Sequence, residues 1–172
     1  MNIRSAEPGD LDAICALHAE AFAASPHGHN GEADLVRWLH ADGDVLASIG
    51  AWQDEWLIGH VLFSRMDVTA DSAPIRATAL APLATHPAHR RQGIAAALIE
   101  AGHDALREQG AEIAFVLGDT AYYSRFGYDL ALAAPFASPF AGAHFMACPL
   151  DSAMPRPQRG VAIHALAFAR TG

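Results

Sequence analysis

The stretch Leu80-Ala81-Pro82-Leu83-Ala84-Thr85-His86-Pro87-Ala88-His89-Arg90-Arg91-Gln92-Gly93-Ile94-Ala95 carries the most information in the chain. It reads as an apolar strand, a basic loop and a helix that begins with small residues. A helix N-terminus leaves its first amides without intrahelical acceptors and carries about half a positive charge. Gly93 and Ala95 let an anion approach that backbone closely, and Arg90 and Arg91 add charge at the same end. Together these form a cradle of the pyrophosphate type. A glycine-started helix with two solvated arginines gives the same local pattern, so the surroundings have to decide. Pro82 constrains the strand: without an N–H it is confined to a sheet edge or a bulge.

Working outward, residues 3–5 fit a short first strand, broken by Glu7-Pro8-Gly9-Asp10. Asp10 suits a helix N-cap. The spacing of Leu11, Ile14, Leu17, His18, Ala21 and Phe22 predicts an amphipathic helix to about residue 23. Residues 25–31 are a loop by composition, and residues 32–40 form a second helix with Leu35, Val36 and Leu39 on one face. Residues 45–52 and 56–68 read as a hairpin, with Gly59 marking a bulge or a close backbone approach. After the strand at 78–85, the helix from Ile94 carries Leu98, Ala101, Ala105 and Leu106 inward and ends at Gly110. Residues 111–117 read as a buried strand. Asp119 or Thr120 caps a short helix through Tyr122, Tyr123 and Arg125, stopped by Gly127. Residues 143–149 and 161–168 read as two final strands. Hairpins followed by one βαβ crossover imply an α+β chain, a mixed sheet with helices on both faces.

Composition narrows the function classes. The 172 residues suit a single domain spanning 1–172, and 52% hydrophobic with 17% charged residues excludes disorder. A formal charge of −8 argues against a nucleic-acid partner, which needs a basic face. No apolar run approaches the ~20 residues of a membrane helix, and residues 1–8 hold no signal-like apolar stretch. The expectation is a cytoplasmic protein. All eleven basic residues are arginine, so the lysine of a P-loop is missing, and no GxGxxG occurs. Cys15 and Cys148 lie among apolar residues and read as small buried hydrophobes. No zinc-type spacing of His and Cys appears, and no metal is expected.

Arg90-Arg91-Gln92-Gly93-Ile94-Ala95 matches the [RQ]-x-x-G-x-[GA] signature of the GCN5-related N-acetyltransferase (GNAT) superfamily. Tyr123-Ser124-Arg125-Phe126-Gly127-Tyr128 resembles that family's closing Tyr-x-x-x-Gly-Phe motif, with Tyr128 in place of Phe. The phrases at 59–64, 80–84 and 117–128 resemble the YhbS-type predicted N-acetyltransferases. The resemblance covers most of the chain and fades after about residue 131. It implies the acetyltransferase fold, a mostly antiparallel sheet splayed between strands 4 and 5. Acetyl-CoA would lie in the opening as co-substrate. Its pantetheine arm would pair with the backbone of Leu83, Ala84 and Thr85. Its pyrophosphate would rest on Arg90, Arg91, Gln92, Gly93, Ile94, Ala95 and Ala96.

The implied reaction is acetyl transfer to a primary amine by direct attack in a ternary complex. By the motif, Tyr123 is the acid for the departing thiolate. A phenol titrates near 10 and a thiol near ~8.5, so the phenol holds its proton at neutral pH. Tyr122, its neighbour, is expected to serve as core or substrate wall. Two departures stand out. The asparagine that many members carry after strand 5 is replaced by Gly118-Asp119-Thr120, and no carboxylate lies near Ala79 on strand 4. No general base is assigned. A non-catalytic acyl-CoA-binding or sensory module of the same fold is the alternative. The acceptor is a small-molecule or peptide amine. Glu20, Glu32, Asp34 and Asp67 are the acidic residues suited to attract it, and Trp38, Trp52 and Trp56 are the rings suited to a pocket. A homodimer is compatible with this reading.

Overall fold

A computed structural model of the protein describes residues 1–23 and 31–170. The loop expected at 25–31 therefore lies outside the described residues, except for Gly31. Among the described residues, eight strands form one sheet. They are β1 (Asn2–Ser5), β2 (Val45–Gln53), β3 (Trp56–Ala70), β4 (Ala73–Thr85), β5 (Ile113–Leu117), β6 (Phe136–Ala137), β7 (Phe145–Pro149) and β8 (Gly160–His164). The helices are α1 (Leu11–Ala23), α2 (Glu32–Ala41), α3 (Ile94–Glu108), α4 (Thr120–Tyr123) and α5 (Leu130–Ala133).

The main path runs β1-β2-β3-β4-β5-β7. Its neighbours are antiparallel except for β4 and β5, which are parallel, as a crossover through α3 requires. β3 is long enough to take two partners on one edge. β2 pairs with it up to Ser64, and β8 takes over from Met66 to Ala70.

Helices cover both faces. α3 lays Ile94, Leu98, Ile99 and Leu106 against Ala47, Ile49, Val61, Phe63 and Leu80. α1 and α2 lay Ile14, Leu35, Val36 and Leu39 against Leu62 on the other side. Each fully buried leucine, isoleucine or phenylalanine contributes roughly 1.5–3 kcal/mol through removal from water. Three polar side chains in this interior form a chain: Ser48 Oγ lies 2.8 Å from His60, and the other nitrogen of His60 lies 2.8 Å from His18 Nε2. Burial pulls the His18 imidazole down to about 3 and His60 well below its ordinary value, so both rings are neutral.

Several boundaries differ from the sequence reading. Asp10 does not cap α1. Pro8–Asp10 form a 3-10 turn continuous with it, and the Asp10 carboxylate accepts the Glu7 amide and pairs with Arg4 at 2.8 Å. β4 begins five residues before position 78, because Asp71 and Ser72 turn the chain with positive φ, at 49° and 69°. Residues 161–168 are not one strand. β8 ends at His164 and a 3-10 turn, Leu166–Arg170, follows. α5 and β6 were not foreseen. Gly59 is a close approach: a Cβ there would lie 2.6 Å from Ile94.

Candidate active site

β4 and β5 pair only at Ala77↔Ile113, Thr78↔Ala114 and Ala79↔Phe115. Beyond Ala79 they diverge, so the sheet opens there. The cause lies in β4. Its register against β3 jumps from Leu80↔Phe63 to Leu83↔Val61, which leaves Ala81-Pro82 as a bulge. A bulge bends the strand that carries it. Leu83, Ala84 and Thr85 remain paired to β3 on one edge and face no strand on the other.

That free edge leads into the turn before α3. His86 starts a 3-10 turn, its ring accepting the Ala88 amide at 3.1 Å, and its other nitrogen lies 3.3 Å from Glu20. Arg91 and Gly93 then adopt left-handed backbone, φ 61° and 79°. No side chain caps α3, whose first intrahelical bond runs from the Ala97 amide to Gly93. The amides ahead of Ala97 thus have no acceptor within the helix. A Cβ on Gly93 would meet no protein atom within 4 Å, so that side of the turn is open space.

A cleft of about 720 Å³ occupies this space. Leu83, Ala84, Thr85, Arg90, Arg91, Gly93, Ile94, Ala95 and Ala96 line it. Gln92 does not. Its side chain is exposed, because the two flanking left-handed residues turn the chain away from the cleft at that point. Arg90 is partly committed elsewhere, since one guanidinium nitrogen donates to the Ala21 carbonyl at 3.0 Å. The wall also includes Phe22, Tyr122 and Arg125, which sequence reasoning had not assigned to this cleft. Arg125 lies 5.3 Å from the centre of the Tyr122 ring, one helical turn back, and that spacing was the available signal.

A second pocket of about 370 Å³ adjoins the first and shares Phe22 and Leu83 with it. Tyr123 lines this pocket, together with Glu32, Leu35, Leu80, Pro82 and Leu117. Asp119 positions the tyrosine. Its carboxylate accepts the Ala121 and Tyr122 amides and so starts α4 where β5 ends. Gly118 makes room for the ring: a Cβ there would lie 2.6 Å from the Tyr123 Cε2. Burial, then the neighbouring Tyr122 and Asp119, raise the Tyr123 pKa well above the ordinary phenol value. Its hydroxyl is therefore a proton donor throughout the neutral range. Tyr122 is partly buried and packs against the core, and it does not line the second pocket. Its ring stands nearly perpendicular to Tyr123 at 5.2 Å and faces the larger cleft.

Tyr128, which stands where the motif has Phe, is 1% exposed. Its hydroxyl lies 2.8 Å from His103 Nε2 on α3. Burial lowers His103 to about 4 and raises Tyr128, so a neutral phenol donates to a neutral imidazole. This pair ties the segment that follows α4 to α3.

Of the four acidic residues named above, only Glu32 lines the second pocket. Asp34 and Asp67 are exposed, and Glu20 faces His86. None of the three tryptophans lines either cleft: Trp52 is buried under Arg4, Trp38 lies beneath Arg170 and Trp56 is 78% exposed. Among the described residues, no group of three His, Cys, Asp or Glu side chains is placed to hold a metal ion. No helix among them is long and apolar enough to cross a membrane.

The comparison with known proteins agrees with this geometry. The acetyltransferase (GNAT) domain family matches residues 2–131. The uncharacterized N-acetyltransferase YhbS of Escherichia coli (strain K12) is 39% identical over 132 residues, 76% of this chain and 75% of its own length. The crystal structure of E. coli YhbS in complex with CoA matches with a TM-score of 0.85 at 31% identity, covering 99% of this chain and 93% of that one. A GNAT-family acetyltransferase from Brucella melitensis, in complex with acetyl-CoA, matches with a TM-score of 0.79 at 29% identity and 97% coverage of both chains.

Proposed function

We propose, from the premise that the chain belongs to the acetyltransferase (GNAT) family, that it moves an acetyl group from acetyl-CoA to a primary amine by direct attack in a ternary complex. The observation that carries this reading is the uncapped start of α3, open to a cleft that continues along the unpaired edge of β4. The fit to a pyrophosphate is chemical. The donors are backbone amides at a helix N-terminus, Gly93 leaves the space a side chain would fill, and Arg91 is exposed at the rim.

Acetyl-CoA supplies the thioester, whose acyl carbon is the electrophile and whose thiolate is the leaving group. The amides of residues 91–96 and the Arg91 guanidinium would hold the phosphates. The free backbone edge of Leu83, Ala84 and Thr85 would pair with the pantetheine amides as a further strand would. Tyr123 keeps its phenolic proton and presents it beside the junction of the two clefts, where a departing thiolate needs it. Phe22 and Leu83 line both clefts at that junction.

A thiol-release assay with acetyl-CoA and a panel of amines tests the reading. Turnover of any amine well above background hydrolysis is the expected result. Acetyl-CoA binding with no turnover of any amine would leave only the binding module.

A further inference from the structure

Glu32 presents a problem that the cofactor cleft does not solve. As the first residue of α2, an acidic side chain there is favoured by the helix dipole, and Asp34 shares that position in the first turn. Asp34 is exposed, as a solvated dipole partner should be. Glu32 is not: its Oε2 is buried and finds no hydrogen-bond donor among the described residues. A buried carboxylate oxygen without a donor is costly unless a cation or donor arrives to meet it. The oxygen belongs to the side chain that lines the pocket with Tyr123, and Glu32 is the only charged residue among the described lining.

Most of the remaining described lining is apolar, with Phe22, Leu35, Leu80 and Leu117 prominent, and the Tyr123 hydroxyl is the other polar side-chain group. The pocket continues through the gap between β4 and β5. A smaller cavity of about 160 Å³ shares Leu80, Ala81 and Leu117 with it and is walled further on by Phe115, Phe140 and His164, an imidazole that burial lowers to about 4 and so keeps neutral. Among the described residues, one negative group in a mostly apolar space, with the neutral His164 at its far end, favours a ligand with one positive group on an apolar body. A polycation would have to bury further charges against leucine and phenylalanine, at a prohibitive desolvation cost.

We infer that Glu32 anchors the acceptor, and that the acceptor class is a monocationic primary amine on an aromatic or alkyl body, not a polyamine or an aminoglycoside. This rests on the acetyl-transfer reading for the reaction but not for the binding. Glu32 holds the ammonium head beside Tyr123 and the body extends into the gap between β4 and β5; for transfer the head gives one proton to solvent, and the neutral amine that results attacks the thioester.

The test uses 2-phenylethylamine and hexylamine against spermidine and kanamycin, with Glu32→Gln and Glu32→Leu. Calorimetric binding of each amine is measured alongside steady-state turnover, and acetyl-CoA thermal shifts confirm that each variant is folded and loaded. A charge-assisted hydrogen bond is worth about 1.5–3 kcal/mol, so both variants should weaken 2-phenylethylamine binding and raise its KM by roughly 10–100-fold. Their acetyl-CoA shifts should stay close to those of the unmodified protein. Preference for spermidine or kanamycin, or an amine KM indifferent to both substitutions, overturns the inference. Binding of 2-phenylethylamine through Glu32 without turnover supports the inference and overturns acetyl transfer. Turnover that ignores Glu32 does the reverse.

Discussion

The two clefts that meet at Phe22 and Leu83 are made of different material. The larger is bounded mainly by one continuous run, residues 83–96, and backbone amides set by the left-handed turns at Arg91 and Gly93 stand among its donors beside the guanidinium groups of Arg90, Arg91 and Arg125. The smaller gathers Phe22, Glu32, Leu80 and Tyr123 from α1, α2, β4 and α4, and its polar groups are side chains. A site built of backbone depends on conformation and tolerates many side chains. A site built of side chains can change its ligand by one substitution without disturbing the fold. The first kind suits a constant co-substrate and the second a variable acceptor.

The largest expected effect separates the clefts at Tyr123. Tyr123→Phe keeps the ring over Gly118 and removes only the proton. Its kcat should fall by about 10²–10⁴ while acetyl-CoA affinity holds, because the acid acts only in the reaction. Tyr122→Phe, in the other cleft, should retain most of kcat. The opposite pattern in steady-state kinetics would move the acid to Tyr122 and dissolve the division. A large loss in Tyr123→Phe with a much lower Tm would mean that the hydroxyl supports structure instead.

Next comes the backbone site. Acetyl-CoA at ~100 times its Kd should stabilise the protein by about 2.7 kcal/mol. Gly93→Asp should abolish this shift by placing a carboxylate where phosphate is expected. Gly93→Asn, which tolerates left-handed backbone without the charge, should keep part of it. An undiminished thermal shift in Gly93→Asp would refute the cradle.

Tyr128→Phe restores the residue of the family motif but leaves His103 Nε2 without its partner. The cost should be about 1–3 kcal/mol in chemical denaturation, with kcat nearly unchanged. A loss of kcat without loss of stability would instead assign the hydroxyl to the reaction.

The smallest effect per pH unit is the acid sensitivity of the buried histidines. His18, His60 and His103 have folded pKa values below the unfolded value of about 6.5, so the unfolded chain binds more protons in that window. Stability should be full above about pH 6.5 and fall on acidification by about 1 kcal/mol per pH unit for each fully titrating histidine. The loss should level off for His103 near pH 4 and for His18 near pH 3. A Tm that stays flat from pH 6.5 to 4.5 would show these rings to be charged or solvated.

The same division explains what was legible in the sequence. The α3 stripe of Ile94, Leu98 and Leu106, the bulge at Pro82 and the glycine turn at 93 are local patterns, and the structure has all three. Most residues expected at the cradle do line the larger cleft, because they follow one another along the chain. The early start of β4 was hidden because Asp71-Ser72 turn without a glycine, and Arg76 breaks the apolar run. α5 is only four residues long and rests on the Asp129 cap, a signal blurred by the surrounding alanines. The pairing of Tyr128 with His103 spans 25 positions, and the selection of Glu32 over three other acids depends on burial. No periodicity encodes either.

Arg90 touches both regions. Its guanidinium donates to the last turn of α1 at Ala21, beside Phe22, while the same side chain borders the larger cleft. Its positive charge is thus divided between a helix C-terminus and the cofactor side. Linkage follows from such a shared tie: an anion that draws Arg90 from Ala21 loosens the end of α1, and whatever tightens α1 releases or retains Arg90 in turn. The two occupancies then exchange free energy in equal measure in both directions, so the order in which the ligands arrive would alter the path but not the sum.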